Sequence, residues 1–141
     1  MSLPPLTLEV LADALNTPVS ELRLPCAFCG QVLSLFDLWD FQVSNLGVVV
    51  RPPWLLGACR DCRRRVAAWE LAVHAEVTVE GDLLVLLAGR SLRDVRVHCQ
   101  GCLGEVSYTD KLRAVESQQP FVLVRKRWRT YCRSCGGGNH A

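Results

Sequence analysis

Several features are missing from this 141-residue sequence, and each absence removes a class of protein. No basic stretch leads into a continuous apolar run between Met1 and Ala14, so no signal peptide is expected. The most apolar window, Leu83 to Ala88, is far shorter than the ~20 residues that span a bilayer, so no membrane partner is expected. A chain without a secretory route sits in a reducing compartment, where cysteine pairs read as metal ligands before disulfides. No Gly/Ser-rich stretch divides the chain, so its halves are not expected to be loosely tethered. No Ser/His/Asp or Cys/His group stands out as catalytic machinery, and the chain is read as a non-enzyme.

Excess charge is also scarce. The formal balance is +2, and it turns slightly negative once cysteines bind metal as thiolates. No basic stripe runs the length of the chain, so nucleic-acid binding is expected to be weak or absent. The charge is uneven, however. Residues 1–62 carry three Arg/Lys against six Asp/Glu, whereas residues 97–141 carry seven against three. A basic C-terminal half suits an acidic partner.

What is abundant is cysteine, in a doubled frame. Cys26, Cys29, Cys59 and Cys62 form two C-x2-C pairs 29 residues apart. Cys99, Cys102, Cys132 and Cys135 repeat the pattern, each displaced by 73 positions. Ser34-x-x-Asp37 likewise returns as Ser107-x-x-Asp110, a helix N-cap with an acid at its third position. Val48 to Trp54 resembles Val122 to Trp128 at an offset of 74, through a shared Val-Arg-x-x-Trp. That offset implies one residue gained or lost in the loop before the third C-x2-C pair. The chain therefore reads as a duplication.

A Cys-x2-Cys turn brings two sulfurs to one ion, and two such turns complete a tetrahedral S₄ site, which soft thiolates reserve for zinc. Four ligands leave no open position for water, so both sites read as structural. Pairing within each repeat is the simplest arrangement, because each repeat then folds alone; a cross-braced arrangement is the alternative. His98, just before Cys99, could substitute for a thiol but is not needed with eight available.

The fold class expected is α+β, as two duplicated small zinc-binding domains with four cysteines each, joined by a linker helix. A helical arm fills 1–24, with Thr7 capping a helix and a short turn at Val19 to Leu22. The first domain covers 25–62, with a helix at Ser34 to Phe41 and a strand at Leu46 to Arg51. A linker region, 63–96, contains a helix from Arg63 to His74 and an apolar segment, Asp82 to Leu87, closed by Gly89. That segment holds Leu83-x-x-Leu86-Leu87, which reads either as core or as a ligand for another protein's groove. The second domain covers 97–135, with a helix near 108–116 and a strand near 121–127. A flexible tail is expected at 136–141.

The cysteine frame, the Leu24-Pro25-Cys26 approach to the first pair and the Val-Arg strand resemble the papillomavirus early protein six family of transforming oncoproteins over nearly the whole chain. The resemblance implies an adaptor that binds two zinc ions and captures acidic helical LxxLL motifs of host proteins in a groove between its zinc domains. Host transcriptional signalling, ubiquitination or differentiation would be altered as a result. It implies that Phe28, Leu46, Val49 and Ala58 line the groove, that Val66, Ala67, Glu70 and His74 form its linker-helix wall, and that Arg51, Arg125 and Arg127 are cationic contacts. Several of the apolar ones could instead be ordinary core, and the Arg125–Arg129 run a solvated or nucleic-acid-binding edge.

Where many relatives have a groove arginine, this chain has His98. That favours a mastermind-like Notch coactivator as partner over a HECT ubiquitin ligase. The Asn139-His140-Ala141 end is no PDZ ligand. The resemblance also implies residence in the host nucleus and cytoplasm. A zinc-dependent nucleic-acid-binding regulator of transcription is the competing reading.

Overall fold

The computed structural model describes residues 6–136, so the expected C-terminal tail lies, apart from Gly136, outside the described residues. The chain divides into two compact units, Met1–Arg63 and Arg64–Ala141. Both contain helices together with a largely antiparallel set of strands, which makes the fold α+β.

Unit 1 begins with helix α1, Leu8–Leu15. Thr7 caps it by accepting the Val10 N–H, and Asn16 ends it in the left-handed conformation. A 3-10 turn follows at Val19–Glu21. Helix α2, Leu35–Val43, is capped by Ser34, whose hydroxyl accepts the Asp37 N–H. Strands β1, Val49–Arg51, and β2, Trp54–Leu56, form a hairpin around Pro52-Pro53. Helix α3, Arg60–His74, starts in unit 1 and ends in unit 2.

Unit 2 opens with strand β3, Ala75–Val79, then helix α4, Gly81–Ala88, and strand β4, Val97–Cys99. Helix α5, Tyr108–Glu116, is capped by Ser107 as α2 is by Ser34. Strands β5, Phe121–Val124, and β6, Arg127–Thr130, precede a last turn of helix, α6, Arg133–Gly136. The sheet order is β3-β5-β6-β4, antiparallel except for β4 against β6.

The duplication extends beyond the cysteines. Helix α4 is α1 displaced by 73 positions, and Gly89 repeats the left-handed end at Asn16. Val48 donates to the Leu6 carbonyl, and the corresponding pair in unit 2 is Phe121 with Val79. Ala27 donates to Gly57, as Gln100 does to Thr130. Helix α1 is thus an integral part of unit 1. Leu8, Leu11 and Ala12 share a core with Leu24, Cys26, Leu38 and Phe41. In unit 2, Leu84 of α4 shares a core with Val97, Cys99, Ala114 and Phe121.

One expectation about the repeat is overturned. Arg51 pairs with Trp54 across one hairpin and Val124 with Arg127 across the other, each around a two-residue turn. The offset therefore stays at 73, and no residue was gained or lost. The Val-Arg-x-x-Trp likeness is out of register by one position. A one-residue slip along a strand moves every side chain to the opposite face. Arg51 consequently corresponds to the buried Val124, and Arg125 lies in the turn.

The repeats fill equivalent places differently. Phe41 and Val48 in unit 1 become Ala114 and Phe121 in unit 2, which exchanges large and small while roughly conserving volume. Leu38 becomes Lys111, whose ammonium donates to the carbonyls of Leu92, Arg93 and Val95 at 2.9, 3.2 and 2.6 Å. Unit 1 has its own polar tie. Asp40, buried on α2, binds Arg60 at 2.7 Å and also Arg63, joining α2 to the start of α3.

Removing one partner of a buried ion pair leaves the other charge desolvated and costs about 3–5 kcal/mol. Asp40→Ala should lower the stability of unit 1 by that order while unit 2 unfolds as before. Denaturant unfolding of zinc-loaded protein, followed by Trp54 and Trp128 fluorescence, measures this. A loss below about 0.5 kcal/mol would show that the tie carries no stability.

Candidate functional site

The first cysteine pair of each repeat sits in a tight turn. Gly30 donates to the Cys26 carbonyl at 2.9 Å, and Leu103 to the Cys99 carbonyl at 2.8 Å. Both turns end in the left-handed region, at φ 79° for Gly30 and 65° for Leu103. Glycine adopts that conformation without steric cost, whereas Leu103 is held there by the turn. The second pair lies at a helix start. Cys59 and Cys62 flank the beginning of α3, and Cys132 and Cys135 flank that of α6. Asp37 accepts the Arg60 N–H at 3.4 Å and Asp110 the Arg133 N–H at 3.1 Å. Each Asp therefore caps the helix that carries the second pair. The cap starts α3 at Arg60, three residues earlier than the sequence pattern suggested.

These turns bring four sulfurs together in each unit. Cys26, Cys29, Cys59 and Cys62 form one group and Cys99, Cys102, Cys132 and Cys135 the other, with all sulfurs of a group within 4.8 Å of one another. Pairing is within repeats. His98 belongs to neither group. A tetrahedral zinc site with Zn–S bonds of ~2.3 Å has sulfurs ~3.8 Å apart. The Cys29–Cys59 sulfur separation of 4.0 Å fits it.

The surroundings favour a thiolate at the first cysteine of each group, Cys26 and Cys99. Cys26 Sγ accepts N–H groups from Phe28 at 3.4 Å and Cys59 at 3.5 Å. Cys99 Sγ accepts them from Gly101 at 3.2 Å, Cys102 at 3.4 Å and Cys132 at 3.3 Å. Burial alone would push the Cys26 thiol up, but the backbone donors of Cys29, Cys59 and Phe28 hold it down at about 6. Burial and the neighbouring thiols push Cys62 up to about 12. Hydrogen bonds from Cys102, Cys132 and Cys135 hold Cys99 well below the usual thiol range, while Cys132 drives Cys102 upward. Crowded thiols cannot all ionise together, and a divalent cation removes that conflict by neutralising their charge. The residues fit zinc, with no open coordination position.

The expected contact residues fall into distinct settings. In unit 1, Phe28, Val49 and Arg51 are exposed, whereas Leu46 and Ala58 are half-buried against the core. On α3, Val66 is half-buried and Ala67 fully buried, its carbonyl accepting from Gln100 at 2.7 Å. Glu70 is buried and engaged by Arg129 at 2.7 Å and Arg125 at 3.3 Å. Arg125 also donates to His74 Nε2 at 2.7 Å and lies 5.3 Å from the Trp69 ring centre. Because arginine only donates, His74 presents a bare Nε2 there. Arg127 is exposed. Together with Arg96, His98, Lys126 and Trp128 it lines a cleft of about 340 Å³. Burial, then Arg127, lowers the pKa of His98 and favours its neutral form.

Trp69, Arg96, Lys126 and Trp128 were not singled out as contacts from the sequence. The Val66-to-His74 spacing marks a helix face but gives no sign that Trp69 meets the His74 ring edge to face. Arg96 and Lys126 are far apart in sequence and meet only through the cleft.

A structural Zn²⁺ site contributes about 10–16 kcal/mol of apparent folding free energy, comparable to the ~5–15 kcal/mol net stability of a domain. Cys62→Ala should release one zinc and unfold unit 1 while unit 2 keeps its own. Cys135→Ala should do the converse. Metal analysis with amide exchange checks both, and loss of both ions from either variant would show that the sites are not independent.

Comparison with known proteins agrees with this geometry. The sequence model of the family described as Early Protein (E6) matches residues 26–135. The chain is 33% identical to Protein E6 of Human papillomavirus 12 over 131 residues, covering 93% of this chain and 83% of that one. It is 36% identical to Protein E6 of Micromys minutus papillomavirus over 129 residues, covering 92% and 84%. The solution structure of the C-terminal zinc-binding domain of HPV51 oncoprotein E6 matches 41% of this chain and 76% of that one, at 24% identity and a TM-score of 0.40. The chain belongs to the papillomavirus E6 family, as a viral zinc-binding protein with two four-cysteine sites.

Proposed function

We propose that this protein is a non-catalytic adaptor that captures acidic helical LxxLL segments of host proteins, with the cationic cleft of unit 2 receiving their carboxylates. The observation that carries the reading is the β5–β6 hairpin. It presents exposed Lys126 and Arg127 beside Arg96 and half-buried His98 and Trp128, while Arg125 is held by Glu70 and His74. Apolar anchors for leucines are available at the exposed Phe28 and Val49. An amphipathic helix presents its leucines on one face, and each buried leucine can add roughly 1.5–3 kcal/mol. Flanking carboxylates then require cations, for which guanidinium forks are suited. The family resemblance points the same way. A mastermind-like Notch coactivator is the favoured partner because His98 stands where many relatives have arginine, with a HECT ubiquitin ligase as the alternative. Such partners place the protein in the host nucleus and cytoplasm.

Nucleic-acid binding is less well supported. Two of the cations that make the C-terminal half basic, Lys111 and Arg129, are buried and bonded within unit 2. Duplex DNA should bind weakly and fade with salt, and tight sequence-selective binding at physiological salt would overturn the adaptor reading.

Titration of an acidic LxxLL peptide against wild type and Arg127→Glu, at two ionic strengths, tests the proposal. The variant should bind about tenfold more weakly at low salt, or ~1.4 kcal/mol, with zinc content unchanged. Raised salt should narrow the difference, because exposed charges are screened while leucine burial is not. Equal affinities throughout would sink the idea.

A further inference from the structure

We propose that helix α4 is itself a ligand, an acidic LxxLL helix that docks into the cationic cleft of a second copy of this chain. This rests on the reading of the cleft given above. The segment runs Glu80-Gly81-Asp82-Leu83-Leu84-Val85-Leu86-Leu87, and Gly81–Ala88 is helical. Leu84 is completely buried and fixes the helix to the core of unit 2. Leu83, Leu86 and Leu87 stand at i, i+3 and i+4, which is one helical face. That face is bare: the three are 43%, 75% and 58% exposed. Asp82 lies beside them and Glu80 at the helix start, both exposed, and Glu80 makes no capping bond with its side chain.

The duplication supplies an internal comparison. Helix α1 occupies the equivalent place in unit 1 and buries Leu11 where α4 buries Leu84. Its outward positions are Val10, Asp13 and Ala14, against Leu83, Leu86 and Leu87. The fold therefore does not demand leucines on that face. The core is satisfied equally well with an acid and a small residue there. Three outward leucines on a two-turn helix form a concentrated apolar surface, and such surfaces mark contact sites.

Charge selects the occupant. The leucines follow two carboxylates, and this same chain presents Arg96, Lys126 and Arg127, all exposed, around a cleft with Trp128. An acidic leucine helix and a cationic cleft on one chain are complementary between copies. Two copies can exchange α4 reciprocally and close, or join head to tail. Either way, self-association and capture of a host LxxLL helix compete for one cleft, so the free protein restrains its own binding.

The test uses the full zinc-loaded chain in sedimentation equilibrium, at concentrations well above the Kd of an unrelated acidic LxxLL peptide. Wild type should associate reversibly. Leu86→Glu places a charge on the bare face without touching the core, and Arg127→Glu alters the cleft. Each alone should associate at least about tenfold more weakly. Mixing the two should restore a 1:1 complex, because one retains the cleft and the other retains α4. The unrelated peptide should dissolve the wild-type assembly and should bind Leu86→Glu as tightly as it binds monomeric wild type. Wild type that stays monomeric while the peptide binds normally overturns the role of α4 and leaves the cleft reading intact. Association unchanged by Leu86→Glu overturns it by showing that another surface is used. If no acidic LxxLL peptide binds either protein, the cleft reading fails and the self-ligand fails with it.

Discussion

Closure of four sulfurs around one centre is the constraint from which each half of this molecule is built. A unit of about 60 to 80 residues has too little core to hold itself firmly without a staple. The sulfurs come from two turns that are distant in sequence, so holding them together fixes where α2 and the following hairpin lie. The turns are prepared for this. Backbone N–H groups point at Cys26 and Cys99, and Asp37 and Asp110 start the helices that bring in the second pairs. The same hydrogen bonds recur in both units because the same constraint acts twice.

Around that shared frame the two units have diverged in ways that keep the frame intact. The Phe41–Val48 contact is exchanged for Ala114–Phe121. Apolar Leu38 gives way to Lys111, which ties down three carbonyls. Unit 1 uses Asp40 with Arg60 and Arg63, while unit 2 uses Glu70 with Arg129 and Arg125. With metal closure holding the frame, partnered positions around it can change together. Surfaces are the freest of all. The equivalent outward faces of α1 and α4, and the turns at Pro52-Pro53 and Arg125-Lys126, are where binding chemistry has room to differ.

The site expectations separate along the same line. The metal ligands depend only on covalent spacing, and they assembled as the spacing required. The contact residues depend on packing. Glu70 has the spacing of a helix-face residue, yet it lies buried under Arg129 and Arg125. Ala67 is sealed in the interior. Arg51 and Arg125, alike in local sequence, are not equivalent, because hairpin pairing rather than sequence likeness sets the register. Trp69 meets Arg125 only because α3 lies alongside the β5–β6 turn.

Sequence by itself therefore determined the doubled cysteine frame, the caps at Thr7, Ser34 and Ser107, and the existence of most helices, while leaving a cross-braced pairing of the ligands open. Each of these follows from interactions among residues a few positions apart, or from a translation visible in the spacing. Tertiary structure alone decided how far the duplication reaches, since α1 and α4 share almost no side chains and are recognised as equivalents only by place. It alone decided the four-stranded sheet, the register of the hairpins, and which charges are spent inside. Strand pairing and burial join residues that are distant in the chain, and nothing local records which partner each will meet.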